Sequence, residues 1–259
     1  MRPQLLLLLL ALAPSAARAQ PDDADRYADP ITEAGQRARG IYLGAGYVRR
    51  NGADGVIAAV RGARMNAVVL DLKDGEGRVH HATRIPELAP AQTGWLGDAP
   101  ALVGRLREEG IYTIARIVCF ADRALPARAP ERAIQVARRR GQPWVSWGTG
   151  GTWLDPSHPD NHRLVVALAR EAEAIGFDEI QLDYVRFPVD DGTQFAHYPS
   201  ETAEPRPQVL LRLLRDVDAA VGIPLGVDVF GLAAYRDGDP SGLGQDLELF
   251  ARHVEVYTP

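Results

Sequence analysis

Two aspartates in this chain stand where a carboxylate can do chemistry. Asp183 closes the run Gly176-Phe177-Asp178-Glu179-Ile180-Gln181-Leu182-Asp183, and Asp228 closes Pro224-Leu225-Gly226-Val227-Asp228. Each run is short, rich in strand-forming apolar residues and opened by a glycine or proline. A carboxylate at the C-terminal end of a buried parallel strand lies on the face where α/β barrels keep their active sites. Neighbouring strands run about 4.8 Å apart, so two such side chains can converge over one pocket. Glycoside hydrolysis needs two carboxylates flanking one bond, one ionised as nucleophile or base and the other raised in pKa to act as acid. A retaining enzyme holds them about 5–5.5 Å apart and an inverting one about 6.5–9.5 Å; the sequence leaves both open.

Further residues gather around this pair. Asp71 and Lys73 end the run Asn66–Lys73. Leu72 between them points the other way, so the two are expected to share a face, with Lys73 holding nearby carboxylates ionised. Arg116, inside 111–120, and Arg186, just past Asp183, are candidate charge partners. Tyr42, Trp147, Trp153, Tyr184 and Tyr257 are candidate sugar contacts, with Trp144 beside them and Asp155 as a polar contact. His80 and His81 with Asp71 and Asp74 match no metal-ligand spacing, and Asp74-Gly75-Glu76-Gly77 lacks the register of a calcium loop. No metal and no cofactor is expected, since no strand is followed by a dinucleotide fingerprint or a P-loop, and there is no nucleophile elbow. Cys119, the one cysteine, lies in an apolar run and reads as a core residue.

The elements that must hold these residues follow from the hydrophobic period. Strands are expected at 41–46, 66–73, 111–120, 177–183, 224–230 and 254–259. Helices are expected at 52–63, 98–109, 130–140, 159–175 (capped by Ser157), 208–221 and 243–253. Trp153–Pro156 reads as a further short strand, and 142–152 and 190–207 as long loops. Strands alternating with helices mean βαβ units and a parallel sheet. The recurrence of Asp at strand ends (Asp71, Asp183, Asp228) favours a (β/α)8 TIM barrel over an open sheet. A full barrel takes about 250 residues, and about six strands fit between Gly40 and Pro259. The expectation is therefore an α/β TIM barrel that is incomplete at its C-terminus.

Ahead of that domain, residues 1–19 read as a secretory signal peptide. A short basic start leads into the apolar run Leu5–Ala13 and the small-x-small site Ala17-Arg18-Ala19. Residues 20–39 read as a polar linker, and 40–259 as the barrel. The mature protein is expected to be exported, secreted or periplasmic, and free of the membrane. A net charge of −5 gives no footprint for nucleic acid.

Several segments, in order, resemble one family. The run from Gly176 to Pro188 looks like its signature. Gly40-Ile41-Tyr42-Leu43, Asn66–Asp74, Ile114–Val118, Trp153–Pro156, Val227–Gly231 and Gly244–Glu248 are similar to its other motifs. The family is the glycoside hydrolase domain family formerly catalogued as a domain of unknown function. The resemblance covers roughly Gly40 to Pro259 and implies an α-amylase-like TIM barrel acting on a carbohydrate. It implies a nucleophilic Asp at the end of the fourth strand, matching Asp183, and an acid at the end of the fifth, where Asp228 stands in place of the amylase Glu. Members continue past a Pro-Met-x-Tyr-Pro-type segment after the sixth strand, which this sequence does not reach. Two rival readings stay open: a carbohydrate-binding barrel without catalysis, and a metal-dependent barrel hydrolase such as a deacetylase.

Overall fold

Alternation along each strand decides which face the helices cover. The computed structural model describes residues 31–148, 150–189, 191–231, 233, 239 and 242–259. The leader at 1–19 and linker residues 20–30 lie outside them. In chain order the elements are α1 (Glu33–Gln36), β1 (Gly40–Leu43), α2 (Ala45–Gly62), β2 (Ala67–Lys73), α3 (Ala99–Glu108), β3 (Tyr112–Val118), β4 (Gln135–Val136) and β5 (Arg139–Pro143). There follow α4 (Pro159–Ile175), β6 (Glu179–Asp183), β7 (Ala196–His197), α5 (Arg206–Asp218), β8 (Leu225–Asp228), α6 (Leu247–Phe250) and β9 (Val256–Thr258).

Six of these strands form one parallel sheet in the order β1-β2-β3-β6-β8-β9. Sequential neighbours joined by helices make this the arc of a (β/α)8 barrel, as the strand–helix alternation requires. One face is apolar apart from the buried Thr113: Val68, Leu70 and Leu72 of β2, Ala115 and Ile117 of β3, Ile180 and Leu182 of β6, and Val227 of β8 are all wholly buried. They join one core with Val56 and Val60 of α2, Leu106 of α3, Leu164 and Leu168 of α4, and Leu213 and Val217 of α5. Each such side chain contributes about 1.5–3 kcal/mol on burial. The intervening positions face the barrel interior and carry Val69, Asp71, Arg116, Gln181, Asp183 and Asp228, in register across β2, β3, β6 and β8.

Three local expectations change. Residues 130–140 are not a helix: a single 3-10 turn, Pro130–Arg132, gives way to the β4–β5 hairpin. Gln135 fixes that hairpin, its Nε2 donating to the Pro130 carbonyl at 2.9 Å and its Oε1 accepting from Gly141 N at 2.9 Å. Together with β7, which lies inside the expected loop 190–207, the hairpin makes a three-stranded antiparallel sheet, β5-β4-β7. Helix α6 is confined to 247–250, because Gly244 takes φ +83° and Asp246 Oδ1 caps the helix by accepting from Leu249 N at 3.0 Å. The cap of α4 is His158, whose Nδ1 accepts from Asp160 N at 3.2 Å, and not Ser157. Among the described residues, no helix is long and apolar enough to cross a membrane.

Candidate active site

The C-terminal end of β2 parts two residues expected to act together. A bulge there sets Asp71 opposite Arg116 but Lys73 opposite Ile117, so two residues of β2 take the place of one. Asp71 stays on the interior face. Lys73 turns away, is 1% exposed, and donates from Nζ to the Val118 carbonyl at 2.9 Å while pairing with Asp122 Oδ2, also at 2.9 Å. The shared face expected of Asp71 and Lys73 is therefore not formed, and Lys73 is a buried structural cation. Asp122 Oδ1 in turn accepts from the backbone of Ala124 and Leu125 at 2.8 Å each. Gly77, at φ +79°, lies against this carboxylate so closely that a Cβ would overlap it. Gly77→Ala is expected to cost at least about 2 kcal/mol in urea denaturation, from the left-handed backbone and the displaced carboxylate. Gly75→Ala, whose Cβ meets nothing within 4 Å, should cost far less.

The interior row is built around Arg116. Its Nη1 donates to Asp71 Oδ1 at 2.6 Å, and its Nε to Asp183 Oδ2 at 3.0 Å, with Nη2 reaching the same oxygen. Asp71 also accepts from the Tyr42 hydroxyl at 2.6 Å, and the guanidinium lies 5.4 Å from the Tyr42 ring centroid. Burial and the Asp71 carboxylate push the Tyr42 hydroxyl far above its ordinary pKa, so it stays a donor. The two acids raise Arg116 further, so it remains charged. Asp183 Oδ1 accepts from Tyr184 N at 2.6 Å, so both its oxygens are held by donors.

Asp228 has the opposite surroundings. Burial, first, and the adjacent Asp183 charge push its carboxyl up to about 6, against the lowering pull of Gln181 and Arg116. The two carboxyl groups are within hydrogen-bonding reach of each other, and Gln181 Nε2 donates to Asp228 Oδ1. Of the pair, Asp228 is thus kept protonated into the mildly acid range. Both open onto a pocket of about 280 Å³ lined also by Tyr184, Arg186, Val229, Phe230 and Gln245. Tyr184 is one of two described non-glycine residues at positive φ, +52°. For a bulky residue that is strained backbone, of the kind concentrated at functional sites. Tyr184 lines this pocket and also a smaller one of about 160 Å³ lined by Gly75, Glu76, Arg123, Gly151 and Thr152.

Arg186 is buried against three rings, 4.8 Å from the centroids of Trp153 and Phe230 and 5.2 Å from that of Tyr184. It stiffens the pocket wall; the partner of Asp183 is Arg116. Gln245, which the sequence reading passed over, ties the wall together. Its Nε2 donates to the Asp228 carbonyl at 3.2 Å, and its Oε1 accepts from Phe230 N at 3.0 Å. Gln181 was also missed, although its place two residues before Asp183 puts both on one face.

Other expected contacts lie elsewhere. Trp153 and Trp144 are buried, Trp153 completely, and so offer no open ring. Asp155 is fully buried: its carboxylate accepts from Ser157 N at 2.9 Å and Ser200 N at 2.8 Å, which makes it a loop clamp. Tyr257 is paired with Val227 on the helix-covered face, and its hydroxyl donates to the Leu247 carbonyl at 2.8 Å. Trp147 is exposed but stands near Phe195, beside the three-stranded sheet. His80 contacts Thr93 and Asp74, and His81 contacts Glu171. Among the described residues, no group of three His, Cys, Asp or Glu is placed to hold a metal ion. Cys119 is buried, and burial raises its thiol well above the usual range.

A parallel arc of barrel strands with carboxylates at the C-terminal ends of the fourth and fifth defines an α/β barrel-type protein with its polar site on the usual face. The chain belongs to the family described as "Putative glycosyl hydrolase domain", whose model matches residues 40–259. No curated protein matches it. Among solved structures it is similar to a hypothetical protein from Ruminiclostridium thermocellum, at 29% identity and TM-score 0.64, covering 74% of this chain and 98% of that one. It is also similar to an alpha-L-fucosidase from Paenibacillus thiaminolyticus, at 15% identity and TM-score 0.54, covering 74% of this chain and 32% of that one. An alpha-galactosidase from Thermus thermophilus, solved in complex with stachyose, matches at 17% identity and TM-score 0.53, covering 88% of this chain and 44% of that one. The chain thus spans under half the length of these two glycosidases, and the likeness to them is one of fold.

Proposed function

We propose that this protein hydrolyses glycosidic bonds in a polysaccharide or cell-wall glycan outside the cytoplasm, with Asp183 and Asp228 as the reacting pair. The observation that carries this reading is the split between two adjacent carboxyls. Both oxygens of Asp183 are tied to donors, from Arg116 and Tyr184 N, whereas burial and the Asp183 charge keep Asp228 protonated up to about pH 6. Asp183 then faces the positive charge that develops on the sugar ring and serves as nucleophile or charge stabiliser. Asp228 gives its proton to the leaving oxygen. The left-handed Tyr184 lines both pockets, which would hold sugars on either side of the cleaved bond. Export follows from the leader-like sequence of residues 1–19.

The test is a screen of the protein on a panel of glycans and aryl glycosides, with Asp183→Asn alongside and products followed by reducing-end release and NMR. The expected result is hydrolysis of at least one substrate and none by the variant, with the anomeric configuration of the product distinguishing a retaining from an inverting course. Undiminished hydrolysis by Asp183→Asn would sink the assignment.

A further inference from the structure

The three-stranded sheet carries a group of side chains that the carboxylate pocket does not use. Trp147 is 65% exposed and Phe195 46%, with ring centroids 5.8 Å apart at an interplanar angle of 37°. They border a depression of about 300 Å³ whose other lining residues include Val136, Pro143 and Val145. An aromatic pair left in water over an apolar hollow is a mark of a binding surface. The pair is also held in place. Gly192, at φ +94°, lies beneath the indole so closely that a Cβ would meet it at 3.0 Å. Trp144 Nε1 anchors the same residue by donating to the Gly192 carbonyl at 3.1 Å. One face of the Trp147 ring is therefore packed on backbone while the side chain as a whole stays open.

Positive charge adjoins this platform. Arg138, Arg139 and Arg140 are consecutive and exposed at the β4–β5 turn. Among the described residues none of them pairs with a carboxylate, Arg140 contacting His197 Nε2 instead, in a chain of net charge −5. Arg139 is paired in register with Val136, so both project to one side of the sheet. The platform is continuous with the site. Trp147 sits on the hairpin that pairs Val145 with Thr152, and Gly151 and Thr152 on its return line the pocket beside Tyr184.

We infer that Trp147, Phe195 and the Arg138–Arg140 turn form a binding platform for an acidic polysaccharide chain. The apolar faces of its sugar rings stack on the aromatic pair, and its carboxylates meet the arginines. Three exposed apolar side chains around one hollow fall far short of the roughly 20–30 residues a side of a stable protein interface. A thin chain of alternating apolar faces and charges fits their scale and sign. The choice of a glycan rests on the reading of the Asp183–Asp228 pocket; the presence of a binding face does not.

Affinity electrophoresis in gels containing polygalacturonate, alginate or dextran tests this. Retardation of the wild-type protein is expected with at least one of the two acidic polymers and weakened by added salt. Dextran should have little effect. Trp147→Ala and the pair Arg138→Ser, Arg139→Ser should each weaken retardation at least about tenfold in apparent Kd, at unchanged hydrolysis of short glycosides. Such a loss is in keeping with stacking and charge contacts worth more than one order of magnitude. Asp183→Asn should be retarded like wild type. No retardation by either acidic polymer, equal retardation by dextran, or equal retardation of Trp147→Ala overturns the inference. So does sedimentation showing self-association that Trp147→Ala abolishes, since a second copy would then cover the face. Retardation without hydrolysis of any glycan would sink only the catalytic reading.

Discussion

Asp228→Asn is expected to lower kcat/KM by about 10²–10⁴-fold, the range for loss of a general acid. The wild-type kcat/KM should fall as pH rises through about 6, because that is where the Asp228 carboxyl gives up its proton in the free protein. The variant should lack that limb, since an amide does not titrate. Stability should move the other way. The folded-state pKa of Asp228 lies above the ordinary value near 3.9. Ionising it in place therefore carries a penalty that is absent below pH 4, grows between 4 and about 6, and is complete above 6. Asparagine removes the penalty while its amide oxygen still accepts from Gln181 and its NH2 can donate to Asp183. Asp228→Asn should thus match or exceed wild type in Tm at pH 8, with the difference closing at pH 4. A variant that is less stable at both pH values, with the alkaline limb unchanged, would contradict the proton-donor role.

Arg116→Met is expected to lose about 3 kcal/mol of stability at pH 7, as when one partner of a buried ion pair is removed and the other is left uncompensated. Here two acids, Asp71 and Asp183, lose the same cation. Carboxylates left without their cation are relieved by acid, so the loss should shrink toward pH 4. Activity should fall steeply, because Asp183 loses the guanidinium that holds its Oδ2 in place. The surviving pH limb should move upward, since Arg116 lowers the Asp228 pKa in the intact protein. Urea denaturation at both pH values checks the first claim. An equal loss at pH 4 and pH 7 would mean that Arg116 contributes packing alone.

The parts of this site that follow from strand alternation were legible in the sequence. Asp183 ends β6, and Arg116 shares a face with it through register, as the hydrophobic period of both strands requires. What departed from alternation was not legible. The bulge that turns Lys73 toward Asp122 inserts one residue, and nothing in Asn66–Lys73 marks where pairing slips. Asp155 looked available because Asp before Pro is common in exposed turns; its burial depends on Ser200, a residue 45 positions away. Tyr257 lies one register step from the interior face, and only pairing with Val227 assigns it to the helices. The β5-β4-β7 sheet escaped because its strands are two to five residues long and contain two arginines, a glycine and a proline, against strand propensity.

The division of the barrel strands into a helix-covered face and a charged one bears on what this scaffold can become. The apolar set, from Val68 through Val227, meets the helices, and the interior row of Asp71, Arg116 and Asp183 does not belong to that core. Removing one member of such a triad is costly, but replacing all of it together by apolar residues of similar volume is often neutral or stabilising. The row is therefore a cassette. Selection for fold persistence acts on one set of alternating positions and selection for chemistry on the other, so a new reaction can arise by rewriting the second as a unit while the first is left unread.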